Sequence, residues 1–198
     1  MKDALIIFVR NAEPGKVKTR LAATVGNNEA VRIYKLLLEH TKLVTVSLPC
    51  DKYVYYADDI NHDDLWESSM YDKRLQPHGD LGERMQQAFD EIFTMNYEKV
   101  CIIGSDCITL TTEILQSAFS NLERTDVVIG PSEDGGYYLI GMKKSCDHIF
   151  INKDWSTEKL FAQTTEAITN ADQSHILLPV LSDIDTEEDW KKYQQTIN

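Results

Sequence analysis

Four cations lie within eleven residues of one loop, directly after an apolar, strand-like run at the start of the chain. They are Arg10, Lys16, Lys18 and Arg20, and Gly15 lies among them. Glycine lets the backbone bend and expose N–H groups, while lysine and arginine supply charged donors for phosphate oxygens. The loop is therefore predicted to bind phosphate, chiefly through Lys18 and Arg20. The alternative is a solvated basic loop, and Lys16 in particular could simply face solvent.

A carboxylate follows a second apolar run, in the sequence IIGSDC at 102–107. An ionised Asp106 at the end of a buried strand is costly unless it is hydrogen-bonded, paired or bound to a metal. Magnesium usually takes only one or two protein carboxylates, with water and substrate phosphates completing its shell, so one aspartate is enough to suggest a metal site. Ser105 is a candidate for phosphate contact. The alternative is that Asp106 caps the next helix.

Further carboxylates follow the last apolar run, in LSDIDTEED at 181–189. Thr186 and Asp189 form a capping-box-like pair, and the acidic residues 187–188 suit the positive end of a helix dipole. Asp183 and Asp185 precede this cap and remain without a structural role. Their side chains share one side of an extended backbone, which makes them candidates for the second metal ligand.

Two adjacent glycines interrupt the segment SEDGGYYLIG at 132–141. Gly135 and Gly136 permit positive φ and a close approach to the backbone. A simple hairpin turn explains the pair equally well. The segment also carries Asp134, which a turn alone does not require.

Apolar runs alternate along the chain with segments of helical periodicity, which predicts a parallel sheet covered by helices on both faces. Strands are predicted at 4–10, 52–58, 99–106 and 175–181, two short strands lie within 126–142, and helices are predicted at 28–43, 84–93, 111–122, 156–169 and 186–195. Ligands of such sheets bind outside the carboxyl ends of the strands. The charged loops described above stand at those ends.

The composition of the chain disfavours several classes of protein. A net charge of −12 over 198 residues argues against sequence-independent nucleic-acid binding, which depends on neutralising phosphates. No run approaches the roughly 18 apolar residues of a membrane helix, and the N-terminal run has only six, so a soluble, cytoplasmic protein is expected. The four cysteines have no metal-ligand spacing and are expected to be reduced thiols rather than a zinc site.

Five segments in this order resemble a known family: FVRNAEPGKVKTRLA (8–22), QPHGDLGERM (76–85), IIGSDC, GPSEDGGYYLIG (130–141) and DIDTEEDW (183–190). Together they are similar to the bacterial radical-SAM/selenodomain-associated transferases, also labelled glycosyltransferases. More distantly they resemble phospholactate guanylyltransferases and molybdenum-cofactor nucleotidyltransferases. The resemblance implies one domain over residues 1–198, with a three-layer α/β/α, GT-A-like fold and a mostly parallel sheet.

The resemblance also implies a site. A nucleotide would lie under the first loop, and Mg²⁺ or Mn²⁺ would be held by Asp106 and completed by Asp185, with Asp183 as a further candidate. Arg84 is a candidate nucleotide ligand, the alternative being a surface arginine of a helix. Asp134 would bind the acceptor hydroxyl or act as a base. The implied roles of the remaining residues are phosphate or donor contact for Arg10, Gly15, Ser105, Gly135 and Gly136, and neutralisation of the leaving group for Lys18 and Arg20.

The sequence departs from these relatives in two places. It lacks the glycine-rich A-G-G-x-G-x-R loop of the nucleotidyltransferases, and Ser105-Asp106-Cys107 is not a strict D-x-D motif. The expected function is a metal-dependent transferase that uses a nucleotide-sugar donor and a small-molecule acceptor. The alternatives are a nucleotidyltransferase that moves NMP from an NTP to a phosphorylated small molecule, and a non-catalytic nucleotide-binding accessory protein. A hydrolase is disfavoured because no G-x-S-x-G elbow is present.

Overall fold

A seven-stranded sheet forms the centre of the molecule in the computed structural model, which describes residues 2–196. Its strands are β1 (Asp3–Val9), β2 (Asp51–Tyr56), β3 (Asp72–Leu75), β4 (Lys99–Ile103), β5 (Val127–Pro131), β6 (Tyr137–Met142) and β7 (His175–Leu177). Their order across the sheet is β3-β2-β1-β4-β6-β5-β7. The predicted mostly parallel α/β fold is confirmed.

Helices cover both faces of the sheet. They are α1 (Thr19–Val25), α2 (Asn27–Thr45), α3 (Leu81–Thr94), α4 (Thr112–Asn121), α5 (Leu160–Asn170) and α6 (Glu187–Thr196). One apolar core joins the sheet to α1, α2 and α4 and includes Leu21, Leu37 and Leu115, with α6 packed against it through Trp190. The other joins the sheet to α3 and α5. Two separate cores, one on each face, give the expected three layers.

Strand β6 runs antiparallel to both of its neighbours, β4 and β5, whereas the other described pairings are parallel. Only residues 132–136 connect β5 to β6. A parallel crossover needs about a dozen residues or more, so this short link can only reverse the chain. The glycine pair of SEDGGYYLIG is thus part of a tight reversal at the same sheet edge where the parallel strands end.

The structure differs from the sequence prediction in four main respects. The last predicted strand, at 175–181, forms β7 only over His175–Leu177. Helix α1 follows the basic loop and was not predicted, because seven residues with one buried side chain, Leu21, give no measurable periodicity. Strand β3 was also missed, because its sequence DKRL is polar and lies at the edge of the sheet. The predicted helix at 156–169 begins only at Leu160, and the residues before it form a loop.

All four cysteines are unpaired, and burial raises the pKa of the Cys107 thiol to about 11, which keeps it protonated. Between residues 2 and 196, none of the helices combines the length and the apolar character needed to cross a bilayer.

Candidate functional site

A cleft of about 770 Å³ opens at the carboxyl ends of β1 and β4 and extends to the loop after β7. Eight of the predicted site residues line it, namely Arg10, Lys18, Arg20, Arg84, Ser105, Asp106, Asp183 and Asp185. These residues come from four separate segments of the chain. The parallel strands end at one edge and thus bring the loops together, as the sheet rule predicts.

Lys18 lies at the centre of the charged part of the cleft. Its Nζ is 3.0 Å from Asp106 Oδ1 and donates a hydrogen bond of 2.9 Å to Asp185 Oδ1. The Lys18 side chain is only 4% exposed, whereas those of Asp106 and Asp185 are 43% and 44% exposed. One buried ammonium therefore bridges two carboxylates that both remain accessible from the cleft.

The charge of Lys18 is fixed by these two neighbours. Burial alone would lower the pKa of Lys18, but the attraction of Asp106 and Asp185 outweighs burial and raises it. The backbone of Lys18 is left-handed, with φ of 47°, and α1 begins directly after it. This conformation is unusual for a residue with a Cβ.

The donor set fits a divalent metal that is bound partly by substrate. Among residues 2–196, no three histidine, cysteine, aspartate or glutamate side chains form a ready metal cluster. However, Asp106 and Asp185 come from different strand ends and converge on one nitrogen, so their oxygens share a common point of approach. Magnesium is often held by two carboxylates while substrate phosphates and water fill the remaining positions. Asp106 and Asp185 could supply these two carboxylates.

Asp183 is more deeply buried than the other two aspartates. Burial and the nearby charge of Asp106 raise the pKa of Asp183 to about 7. Its Oδ2 accepts a hydrogen bond of 3.1 Å from the hydroxyl of Ser132, at the end of β5. Asp183 thus ties the loop after β7 to the neighbouring strand, and its role as a metal ligand stays a prediction.

Tyr34 of α2 orders two of the loops and is not among the site residues that the sequence predicted. Its hydroxyl accepts a hydrogen bond of 2.9 Å from the backbone N–H of Arg10 and lies 3.1 Å from Ser105 Oγ. Burial and Asp106 raise the pKa of Tyr34 to about 12, so the phenol stays neutral. Ser105 is itself buried and is held by this contact.

We expect Tyr34→Phe to lower the free energy of unfolding by about 1–3 kcal/mol, because the partly buried Arg10 N–H and the buried Ser105 hydroxyl lose a shared partner. Urea denaturation measures the change. Tyr138→Phe is a suitable comparison, since that hydroxyl makes a single hydrogen bond to the carbonyl of Pro179. Its expected loss is smaller. A Tyr34→Phe protein as stable as the wild type would show that the hydroxyl does not hold the two loops.

The remaining cations of the cleft are not equivalent. Arg20 is 74% exposed, and its Nη1 is 3.9 Å from Asp185. Lys16 pairs with Glu13 at 2.8 Å and is half exposed, in agreement with a solvent-facing residue. Arg84 is held by neutral groups, donating from Nε to the Gly79 carbonyl and from Nη1 to the Gln76 side chain. Its positive charge therefore remains available to a ligand.

The glycine pair acts as a turn and as a packing site. Asp134 is exposed, and its Oδ1 accepts a hydrogen bond of 2.9 Å from the N–H of Gly136. Gly135 has φ of 87°, and a Cβ there would lie 2.5 Å from the Glu158 backbone. Neither glycine, nor Asp134, nor Gly15 is among the residues that line the cleft. Their predicted contacts with donor or acceptor, and the catalytic role of Asp134, stay predictions.

Trp155 also lines the cleft and was not predicted from the sequence. A Cβ at Gly82, in the first turn of α3, would lie 2.3–2.8 Å from its indole ring. Gly82 therefore lets the tryptophan lie flat against the helix. The loop of Trp155 is held in turn by Gly135, whose carbonyl accepts a hydrogen bond from Phe161. The glycine in GDLGERM was the available signal, since a buried helical glycine indicates close packing.

Comparisons with solved structures identify transferase neighbours. A "putative nucleotide-diphospho-sugar transferase" from Desulfovibrio desulfuricans G20 is 33% identical, with a TM-score of 0.85 over 94% of this chain and 84% of that one. A CMP:2-keto-3-deoxy-manno-octonic acid synthetase complexed with CTP is 9% identical, with a TM-score of 0.62 over 100% of this chain and 98% of that one. A 4-diphosphocytidyl-2C-methyl-D-erythritol synthase from Anaerococcus prevotii DSM 20548 is 10% identical, with a TM-score of 0.60 over 99% and 96%.

The two more distant structures share the fold alone. The search of curated proteins finds no match. Residues 41–157, more than half of the chain, match the family described as "Uncharacterized protein conserved in bacteria (DUF2064)". The chain belongs to this bacterial family, DUF2064, and has the fold of the nucleotide-diphospho-sugar transferases.

Proposed function

We propose that the protein is a metal-dependent transferase that uses a nucleotide-sugar donor and a small-molecule acceptor. The observation that carries the proposal is the Lys18 ammonium held between Asp106 and Asp185 at the carboxyl edge of the sheet. This arrangement places a fixed positive charge beside two accessible carboxylates. Transfer from a nucleotide sugar requires such charges, because negative charge builds on the departing diphosphate.

The residues of the cleft would have separate roles in this reaction. Asp106 and Asp185 would hold Mg²⁺ or Mn²⁺, which supplies Lewis-acid stabilisation of phosphate oxygens when bound. Lys18 and Arg20 would contact the phosphates from the first loop, and Arg84 would reach the nucleotide from the start of α3. The Trp155 indole and the apolar wall around it would exclude water from the reacting bond. Positioning and charge would account for most of the catalysis.

The family relation supports a sugar donor, since the structure with 33% identity is described as a nucleotide-diphospho-sugar transferase. The site differs from that of GT-A enzymes in one respect. Its two carboxylates, Asp106 and Asp185, come from separate strand ends and not from one D-x-D motif. That observation favours a second candidate function, transfer of NMP from an NTP to a phosphorylated small molecule. The cytidylyl-type neighbours have names that fit this second reaction.

Calorimetric titration with a panel of nucleoside triphosphates and nucleotide sugars, each with Mn²⁺, tests the proposal. We expect at least one of them to bind with a dissociation constant between about 1 μM and 1 mM, the usual range for enzyme substrates. Product analysis then separates the two reactions, because glycosyl transfer releases a nucleoside phosphate and nucleotidyl transfer releases pyrophosphate. Absence of binding to every member of the panel would overturn the proposal. Binding without turnover across a panel of acceptors would favour the non-catalytic accessory protein.

A further inference from the structure

The bridge made by Lys18 has a consequence for metal binding. The ammonium lies within 3.0 Å of one oxygen of Asp106 and one of Asp185, which is the position where both carboxylates point. A divalent cation shared by the same two oxygens would compete with the ammonium for them. In the protein without ligand, the two carboxylates are thus already neutralised in part by a cation of the chain itself.

The surroundings of Lys18 make this cation difficult to displace. Its side chain is almost fully buried and its Nζ contacts both aspartates, so displacement means moving the ammonium away from two carboxylates. An ammonium and a divalent ion in contact with the same oxygens repel each other strongly at this separation. The bridge can open only if Lys18 finds other anionic oxygens nearby.

A nucleotide would supply such oxygens. Lys18 directly precedes α1 and lines the same cleft as Arg10 and Arg20, so phosphates bound by the first loop would lie within reach of its flexible four-carbon side chain. The phosphates would also add ligands to the metal and replace the water that two carboxylates leave in its shell. Both effects act in the same direction, toward joint binding.

We propose that Lys18 acts as an internal counter-ion that keeps the Asp106–Asp185 pair closed to divalent metal until nucleotide phosphates draw the ammonium away. This inference rests on the proposed function, since it assigns the same carboxylates to the metal. It predicts that metal and nucleotide bind together, and that Mn²⁺ alone binds weakly. Lys18 is then a positioning residue for the metal as well as a phosphate ligand.

The proposal is tested by titrating the protein with MnCl₂ in the absence of nucleotide. Electron paramagnetic resonance measures the free Mn²⁺ at each step. We expect Lys18→Met to bind Mn²⁺ at least about tenfold more tightly than the wild type, because the competing charge is gone and two accessible carboxylates remain. Lys18→Arg keeps the charge and is expected to bind as weakly as the wild type. Methionine and arginine carry the same backbone cost as lysine at this left-handed position.

Arg20→Met is the matched control, because it removes a cation two residues from Lys18, in the first turn of α1, that is exposed and 3.9 Å from Asp185. Its Mn²⁺ affinity should change by less than about threefold, since exposed charges at this distance are screened. An equal gain in Arg20→Met and Lys18→Met would mean that net charge, not the bridge, controls the metal, and would overturn the proposal. So would a Lys18→Met protein that binds Mn²⁺ no more tightly than the wild type.

A measurement on the wild type alone keeps the proposal testable if Lys18→Met does not fold. Wild-type protein that binds Mn²⁺ without nucleotide at low micromolar concentrations would contradict a closed site. Failure of the proposed function is distinct from these outcomes, because it appears as absence of binding across the nucleotide panel. Failure of the counter-ion role instead leaves nucleotide binding and transfer in place while Mn²⁺ binds freely to the wild type.

Discussion

Asp106→Asn is expected to lower metal-dependent turnover by at least about 100-fold, with the fold unchanged. Asparagine has the size of aspartate but lacks its charge, so a bound cation loses one of its two carboxylates and transition-state charge is less well stabilised. The free energy of unfolding should change little, because Asp106 is 43% exposed and Lys18 keeps Asp185 as its partner. The measurement is initial-rate kinetics at a series of Mn²⁺ concentrations, with the donor identified by the nucleotide panel.

Asp172→Asn is the matched control for this substitution. Asp172 is exposed after α5, and its φ of 53° is one that asparagine tolerates equally well. Its rate should equal that of the wild type. Asp106→Asn with unchanged rate and unchanged Mn²⁺ dependence would show that Asp106 does not take part in metal binding. If the rate of Asp106→Asn instead recovers fully at high Mn²⁺, the aspartate contributes only to the affinity for the metal.

The sequence predicted the strand ends of this molecule better than its connections. Apolar runs such as 99–106 identify buried parallel strands, and once strands are placed, their carboxyl ends must meet at one edge. That argument brought Asp106 and Asp185 to one site although they are 79 positions apart. The structure places both within 3.0 Å of Lys18. The two aspartates therefore meet at one cation, and their function as metal ligands stays a prediction.

The parts that could not be predicted depend on contacts between distant segments. Tyr34 looks like any apolar residue of a helix, and only its position under the ends of β1 and β4 shows that its hydroxyl holds Arg10 and Ser105. The ammonium of Lys18 between two aspartates also has no local signature. Periodicity reports which side of an element is buried, but it carries no information on which polar atoms meet there.

Gly135→Ala is expected to lower the free energy of unfolding by about 2–4 kcal/mol. Two independent costs add at this position. The φ of 87° is strained for any residue with a side chain, and the added Cβ would lie 2.5 Å from the Cα and the carbonyl oxygen of Glu158. Relief requires the backbone of the loop at 155–159 to move away. Because Phe161 donates to the Gly135 carbonyl, the start of α5 would move with it.

Two other glycines separate the costs. Gly26→Ala has nearly the same φ, 84°, with ψ of 157° and no atom within 4 Å of the new Cβ, so it measures backbone strain without a clash, about 1–3 kcal/mol. Gly136→Ala has no positive φ and meets only the Asp134 carboxylate at 3.2 Å, so its effect should be smaller than that of Gly135→Ala. Urea denaturation of the three variants measures the loss of unfolding free energy in each of them. Equal losses of unfolding free energy in Gly135→Ala and Gly26→Ala would show that the loop at 155–159 moves away from the new Cβ without a measurable energetic penalty. A larger loss at Gly135, together with a change in tryptophan fluorescence that disappears when Trp155 is also replaced by Phe, would show that the turn supports the part of the cleft formed by Trp155.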